Sequence, residues 1–447
     1  MEILIPKEAY ADMGNLLRDL AQCAADNRPI SVAVIGAGQM GRGLVAGLVA
    51  ITGMRPSMVI DIDEVRAREA LLHAGVAPSA IFEAADASEA QAIIARGDYV
   101  VAKDYRRIPK EGISAVVEAT GVPEIGARSA LDAIARHQHI IMLNVETDVT
   151  IGRILSKLAQ QAGVVYSVSA GDEPGATVEM VEFARTMGFK VIAAGKGKNN
   201  TLDIDATPDT VREEATAKGA SGHMFCSFVD GTKTMVEMTA VANATGLQPE
   251  CRGMRGLHLS VDQLATTFAL EEKGGVLTRT GVVDFVHGIA PGVFAVVTTD
   301  NEVIMENMIY LKTGPGPQWT LYRPYHLANL ETPHTVAKAV LYHDVCLRPL
   351  EQPVAETVAV AKRDLEPGSV VDGIGGYTVR GEIMTYQDAH FLDALPLGVA
   401  EGATLINAVP KGHVVRWGDV HVKEDSMVVV LRRLQMLWLD EGVGLKS

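Results

Sequence analysis

The sequence predicts an α/β protein in three parts: a doubly wound parallel sheet, an α+β domain, and a small β-rich C-terminal unit. Three observations carry this reading. Between Ser31 and Ser167, short apolar runs alternate with stretches of helical period, the pattern of successive strand–helix units. From Gly171 the texture shifts to longer polar loops, such as Gly195–Asp205, between mixed strands and helices. After Val354, short strands are separated by turn sequences, among them Glu366-Pro367-Gly368 and Pro410-Lys411-Gly412. The expected boundaries are 1–172, 173–350 and 351–447.

Taken in order, Leu16, Leu17, Leu20 and Cys23 recur at helical spacing, so a helix precedes the first strand. Ser31–Ile35 reads as a strand buried on both faces. A helix to about Ile51, a strand Ser57–Ile62 and a helix from Glu64 follow. Ala84–Arg96 reads as helix, Tyr99–Ala102 and Ile113–Glu118 as strands, and Ile125–Ala135 as helix. His139–Leu143 is a strand, Val149–Ala162 a helix and Val164–Ser167 a strand. In the second part, Glu179–Met187, Val211–Ala217 and Thr232–Ala244 read as helices. Lys190–Ala194, Met224–Val229, Val293–Thr298 and Trp319–Tyr322 read as strands, and a helix Thr335–Tyr342 closes the domain.

Bulk properties exclude several classes. The chain has 447 residues, enough for two or three domains, and a net charge of −15. That charge argues against a nucleic-acid binder, which needs a basic face. Cys23, Cys226, Cys251 and Cys346 are too scattered for a disulfide framework or a zinc ribbon, and read as buried small hydrophobes. No segment has the eighteen or so uninterrupted apolar residues of a membrane span, and Met1–Ala25 lacks the apolar run of a secretory leader. A cytoplasmic protein with no membrane partner is expected.

Gly36-Ala37-Gly38-Gln39-Met40-Gly41 has the G-x-G-x-x-G spacing, follows a buried strand and opens a helix, the context of a Rossmann dinucleotide fold. Gly36 permits the turn, Gly38 lets backbone approach a pyrophosphate, and Gly41 allows close helix–strand packing. Asp61 ends the second strand, where a carboxylate bonds the ribose hydroxyls of NAD and repels the 2′-phosphate of NADP. Arg66 and Arg68, in the next helix, keep NADP open as the alternative. Thr120, Gly121, Asn144 and Glu146 follow later strands and are expected to line the nicotinamide pocket.

Chemistry-bearing residues cluster after Ala170. Asp172 and Glu173 are paired carboxylates suited to a divalent cation such as magnesium, to acid–base work, or to the first turn of a helix. Lys196, Lys198 and Asn199 lie on a Gly/Asn-rich loop suited to an anion, and a lysine there could carry the proton that accompanies hydride transfer. Lys233 and Glu237 stand one helical turn apart. Arg323 is a clamp for phosphate or carboxylate and His326 an acid–base group, within Tyr322-Arg323-Pro324-Tyr325-His326.

The segments VIGAGQMG, EATGVPEIGA, LNVETDVTIG, SAGDEPG, AGKGKNN, DATPD, DGTKTMVEM, ANATGL and YRPYHL together resemble the deoxyxylulose-phosphate reductoisomerase-like family. That family is itself similar to homoserine dehydrogenase in its first two domains. The resemblance spans about Pro29 to Asp419, and its C-terminal part resembles a SAF domain. It implies a homodimeric reductoisomerase that forms methylerythritol phosphate with NADPH and a divalent cation. Asp172 and Glu173 would then approach the cation, and Lys196, Lys198 and Asn199 the substrate. Asp61 departs from the NADPH requirement. The sequence therefore leads to an NAD(P)-dependent oxidoreductase acting on a small anionic sugar or polyol. A homoserine dehydrogenase-like hydroxy-acid dehydrogenase and a redox-inactive dinucleotide-binding sensor stand as alternatives.

Overall fold

The computed structural model describes residues 14–440. They form two compact units. The first comprises the chain up to Thr147, Ile154–Asp172 and Leu327–Arg348, and the second Asp148–Arg153, Glu173–His326 and the chain from Pro349. Residues 327–348, assigned from sequence to the middle domain, thus fold with the first unit, and residues from Pro349 fold with the second.

Up to Val168 the chain runs α1 (Asn15–Ala25), β1 (Ile30–Ile35), α2 (Gln39–Ala50), β2 (Met54–Ile60), α3 (Glu64–His73), β3 (Ile81–Glu83), α4 (Ala87–Ala95), β4 (Tyr99–Ala102), β5 (Ala115–Glu118), α5 (Pro123–Ala135), β6 (His139–Met142), α6 (Val145–Ala162) and β7 (Tyr166–Val168). The seven strands make one parallel sheet in the order β3-β4-β2-β1-β5-β6-β7. The chain winds one way from β1 and then the other, so the topological switch lies between β1 and β5. Val32 and Val34 of β1 pack with Leu44, Val45 and Leu48 of α2. Val336, Ala337 and Ala339 of the helix Ala328–Tyr342 join that core, which is why this helix leaves the middle domain. It begins seven residues earlier than its apolar period suggests and continues through Pro333.

Two further sequence readings change. Within Ala84–Arg96, Asp86 caps a helix that starts only at Ala87 by accepting the Glu89 N–H, and a strand precedes it. The predicted strand Met224–Val229 is a helix, capped by Ser221 and burying Phe225, Cys226 and Ser227. A short apolar run does not distinguish the two forms.

The second unit opens with α7 (Glu173–Thr186), β8 (Lys190–Gly197), α8 (Arg212–Ala217), α9 (Gly222–Val229) and α10 (Thr232–Thr245). It continues with β9 (Gln248–Pro249), β10 (Leu257–His258), α11 (Val261–Thr267), β11 (Val282–His287), β12 (Val293–Thr298), α12 (Glu302–Tyr310) and β13 (Gln318–Arg323). Its sheet is mixed, in the order β10-β11-β8-β12-β13, with β9 also on β11. The C-terminal part has two antiparallel pairs, β14 (Ala355–Ala361) with β15 (Val379–Thr385) and β16 (Thr404–Leu405) with β17 (Val420–His421).

This part is the small, irregular β structure expected, and it packs closely on α10 of the same unit. Helix α10 is buried along nearly its whole length. Asn243 at its end bonds the backbone of Val354 and Ala355, Thr239 bonds Thr357, and Thr232 bonds Gly381. Lys362 pairs with Asp230 at 2.7 Å, both fully buried. Ala355 and Ile383 share a core with Met235, Met238 and Val241. Of the four free cysteines, Cys226 is buried as expected, whereas Cys251 is exposed.

Close packing at the glycine turn is tight enough to test. A Cβ on Gly41 would lie 1.8 Å from the Gly36 carbonyl oxygen, whereas one on Gly38 meets nothing within 4 Å. Gly41→Ala should therefore cost about 1–3 kcal/mol in urea unfolding. Gly38→Ala, at the helix N-cap, should cost under about 1 kcal/mol. Equal costs would show that the turn does not set the β1–α2 spacing.

Candidate active site

The glycine turn is built for a phosphate-bearing ligand. Gly36 has φ +97°, and a Cβ there would meet the Ala119 carbonyl oxygen at 2.9 Å. Open space over Gly38 leaves its backbone accessible, and α2 begins immediately after it, with unpaired N–H groups at its start. Gln39 and Met40 form the first turn of that helix. Asp61, just past the end of β2, accepts the Ala37 N–H at 2.7 Å and the Asp63 N–H at 2.9 Å. Its carboxylate is thus held against the turn from the neighbouring strand. Arg66 pairs with Asp63 at 3.4 Å, and Arg68 with Glu83 and the Ile81 carbonyl at 3.3 Å.

The other expected pocket residues divide. Thr120 donates its N–H to Glu118 at 2.9 Å, and Gly121 has φ +70° with open space around it. Asn144 is buried and caps α6, accepting the Thr147 N–H at 3.1 Å and donating to the Val122 carbonyl at 3.1 Å. Its amide fixes the backbone beyond β5 and β6. Glu146 is buried.

In the second unit, the fold brings Glu173, Lys196, Glu237 and His326 into one cluster. Glu173 opens α7, Lys196 sits near the end of β8, and Glu237 projects from the buried α10. The Lys196 ammonium donates to Glu173 Oε1 at 2.7 Å and to Glu237 Oε2. His326 donates through Nδ1 to the Pro291 carbonyl at 2.8 Å and presents Nε2 3.5 Å from Glu173 Oε2. Lys233 reaches Glu237 Oε1 at 4.0 Å, the expected one-turn pair. Burial alone would lower the Lys196 ammonium, but the carboxylates of Glu173 and Glu237 outweigh it and hold the group charged, above the usual lysine range.

Lys198 differs. Burial, together with the adjacent Lys196 charge, brings its ammonium down to about 8. It donates to the Phe228 carbonyl. Its charge also bears on His287, which burial, His258 and Lys198 all push down. The His258 and His287 rings stack at 4.4 Å between parallel strands. Neither histidine stood out in the sequence. They come together only through the register of β10 on β11, which leaves no spacing signal.

Three expectations are reshaped. Asn199 is exposed just past β8, outside the charged cluster. Arg323 lies over the Tyr325 ring at 4.5 Å and 3.6 Å from Glu179, an exposed partner. Asp172 and Glu173 gain a third carboxylate: oxygens of Asp172, Glu173 and Glu237 all lie within 4.8 Å of one another, a grouping that could hold a metal ion, and Lys196 bonds two of the three. Asp172 is buried and directly precedes Glu173 in the chain.

Residues 171–332 match the family described as oxidoreductase DRL, catalytic domain. That segment contains every charged residue of the cluster. No curated protein matches the chain. Among solved structures, a probable dehydrogenase from Thermotoga maritima aligns at 13% identity and TM-score 0.41, over 70% of this chain and 90% of that one. A myo-inositol dehydrogenase from Corynebacterium glutamicum aligns at 9% and 0.41, over 70% and 89%. GenD2 from gentamicin A biosynthesis, in complex with NAD, aligns at 14% and 0.36, over 73% and 89%. Superpositions this loose leave the activity to be read from side chains.

The two lysines should respond oppositely to removal. Lys196→Met strands two buried carboxylates and should cost about 3–5 kcal/mol, a loss that shrinks as acid protonates them. Lys198→Met should hold or raise stability, because below about pH 8 the fold keeps a charge on a buried amine. Urea melts at pH 7 would check both; an unaltered Lys196→Met melt would mean that the cluster is solvated.

Proposed function

We propose that the protein is an NAD-dependent dehydrogenase acting on a small hydroxylated substrate, a sugar, polyol or sugar acid, with Lys198 as the proton carrier. The observation that carries this reading is the buried Lys198 amine, brought down to about 8 beside a lysine held permanently charged. A general base works best with a pKa near the working pH. The match of this segment to an oxidoreductase catalytic domain supports the class of reaction.

When bound, the nicotinamide would take the hydride from the substrate carbon. The neutral Lys198 amine accepts the hydroxyl proton as that hydride leaves. Lys196 has one N–H beyond its two carboxylate bonds, available to the oxygen as charge develops on it. Glu173 and Glu237 keep the ammonium in place, and His326 steadies Glu173. Nothing in this scheme calls on a divalent cation. The skeletal rearrangement of a reductoisomerase lies outside the proposal, which covers hydride and proton transfer only. NAD rather than NADP follows from Asp61 at the turn and from Arg66 and Arg68, whose charges are paired with other carboxylates.

Two measurements test this. Nicotinamide absorbance should change when NAD+ is offered with polyols, sugar acids or sugar phosphates without added metal. The oxidation rate should climb through about pH 8 as Lys198 loses its proton. Lys198→Arg should abolish that limb and lower kcat/KM by about 10²–10⁴-fold. A profile unchanged in the variant would remove Lys198 from the chemistry. Separately, the wild type should bind NAD(H) more tightly than NADP(H) in a fluorescence titration, and Asp61→Ser should narrow the gap. Tighter NADP(H) binding by the wild type would reverse the cofactor assignment.

A further inference from the structure

Glu118 is the last residue of β5, paired in register with Ile35, immediately before the Gly36 turn. It therefore stands at the topological switch, where open α/β sheets take their ligands. The side chain is fully buried. Oε1 accepts the Thr120 N–H at 2.9 Å. Oε2 is buried and, among the described residues, has no hydrogen-bond partner. A buried carboxylate oxygen without a donor costs free energy, and a ligand that donates to it would recover that cost. The backbone beyond Glu118 also forms the wall against which Gly36 is packed.

We propose that Glu118 is a cofactor-binding residue: its free oxygen takes a hydrogen bond from the bound dinucleotide, and its charge distinguishes the oxidised from the reduced nicotinamide. This rests on the dinucleotide reading above and extends it to a residue that the glycine motif does not include. Burial pushes the Glu118 carboxyl up to about 7, against the nearby Thr120 hydroxyl, the Asn144 amide and the Thr120 N–H, which favour ionisation. The charged group it feels is Glu146, following β6, which adds to the rise. Near neutrality the free site is thus divided between protonated and ionised forms. The oxidised ring carries a positive charge and the reduced ring carries none. Binding of NAD+ therefore favours the carboxylate and expels a proton, whereas NADH leaves the mixture almost unchanged.

The sign follows from linkage. A ligand that prefers the ionised form binds more tightly as pH rises through the pKa of the free site, so NAD+ affinity relative to NADH should increase by up to about tenfold between pH 6 and pH 8. Glu118→Gln keeps an acceptor for the Thr120 N–H but cannot ionise, and should flatten that ratio while still binding NADH. Equilibrium titrations of NAD+ and NADH across this pH range, on both proteins, read the effect directly. A second measurement needs no variant. Calorimetry of NAD+ binding to the wild type at pH 7, in two buffers of different ionisation enthalpy, should show release of a fraction of a proton. A wild-type ratio independent of pH, or no proton release, overturns the proposal while leaving the dinucleotide site intact. A Glu118→Gln ratio that still rises as in the wild type overturns it as well. If the wild type binds neither form at any pH, the dinucleotide reading falls and this one falls with it.

Discussion

One buried ammonium holds the chemistry of the second unit together. Lys196 is almost inaccessible to water, and so are the two carboxylates it bonds. Removing such groups from water costs several kcal/mol each, and the cost is met only if every partner stays in place. Each partner comes from a different element: Glu173 from the start of α7, Lys196 from β8, Glu237 from the middle of α10. The cluster therefore fixes the two helices against the sheet at the position where the reaction is proposed. It also sets the neighbouring lysine apart. Burial, together with the charge held on Lys196 two residues away, makes a charge on Lys198 unfavourable and leaves Lys198 as the amine proposed to give up its proton.

Helix α10 shows why the C-terminal strands belong with this cluster. A helix carrying Glu237 inward needs cover on its remaining faces, and β14 and β15 supply it through Thr239, Asn243 and Thr232. The buried pair Arg432–Glu356 and the Arg432 bond to the Thr150 carbonyl tie in the helix Met427–Gln435. The sequence suggested an independent module because its turns are well marked. Turn chemistry reports where strands end, not what their faces are buried against.

The same distinction explains how much could be read beforehand. The parallel sheet, the glycine turn and Asp61 were legible because each is local: a strand period, a fixed spacing, a carboxylate at a strand end. The helix Gly222–Val229 and the membership of Ala328–Tyr342 were not, since both depend on which apolar core receives them. At the site, Lys196, Lys198, Glu173, Glu237 and His326 were all picked out as residue types. Their division of labour was not. An i, i+4 spacing suggested Lys233 as the partner of Glu237, yet the closer partner is Lys196, 41 residues away in sequence. The acidic pair Asp172-Glu173 suggested a cation site, but not that Glu237 would join it or that Lys196 would bond two of the three carboxylates.

Glu118 illustrates the complementary limit. A glutamate ending a run of Ala115, Val116 and Val117 reads as the polar end of a strand, ready to meet water. The sheet places it instead beside β1, beneath the glycine turn, with one oxygen satisfied by its own loop. Its burial arises from β1 and β6 on either side, neither of which is adjacent to it in sequence. The two units thus use opposite means. Around the glycine turn, exposed backbone N–H groups suffice for a phosphate, so a short motif reveals them. Where a proton must move, the pKa depends on desolvation and on charges brought from afar. Such a site becomes visible only once the strands are in register.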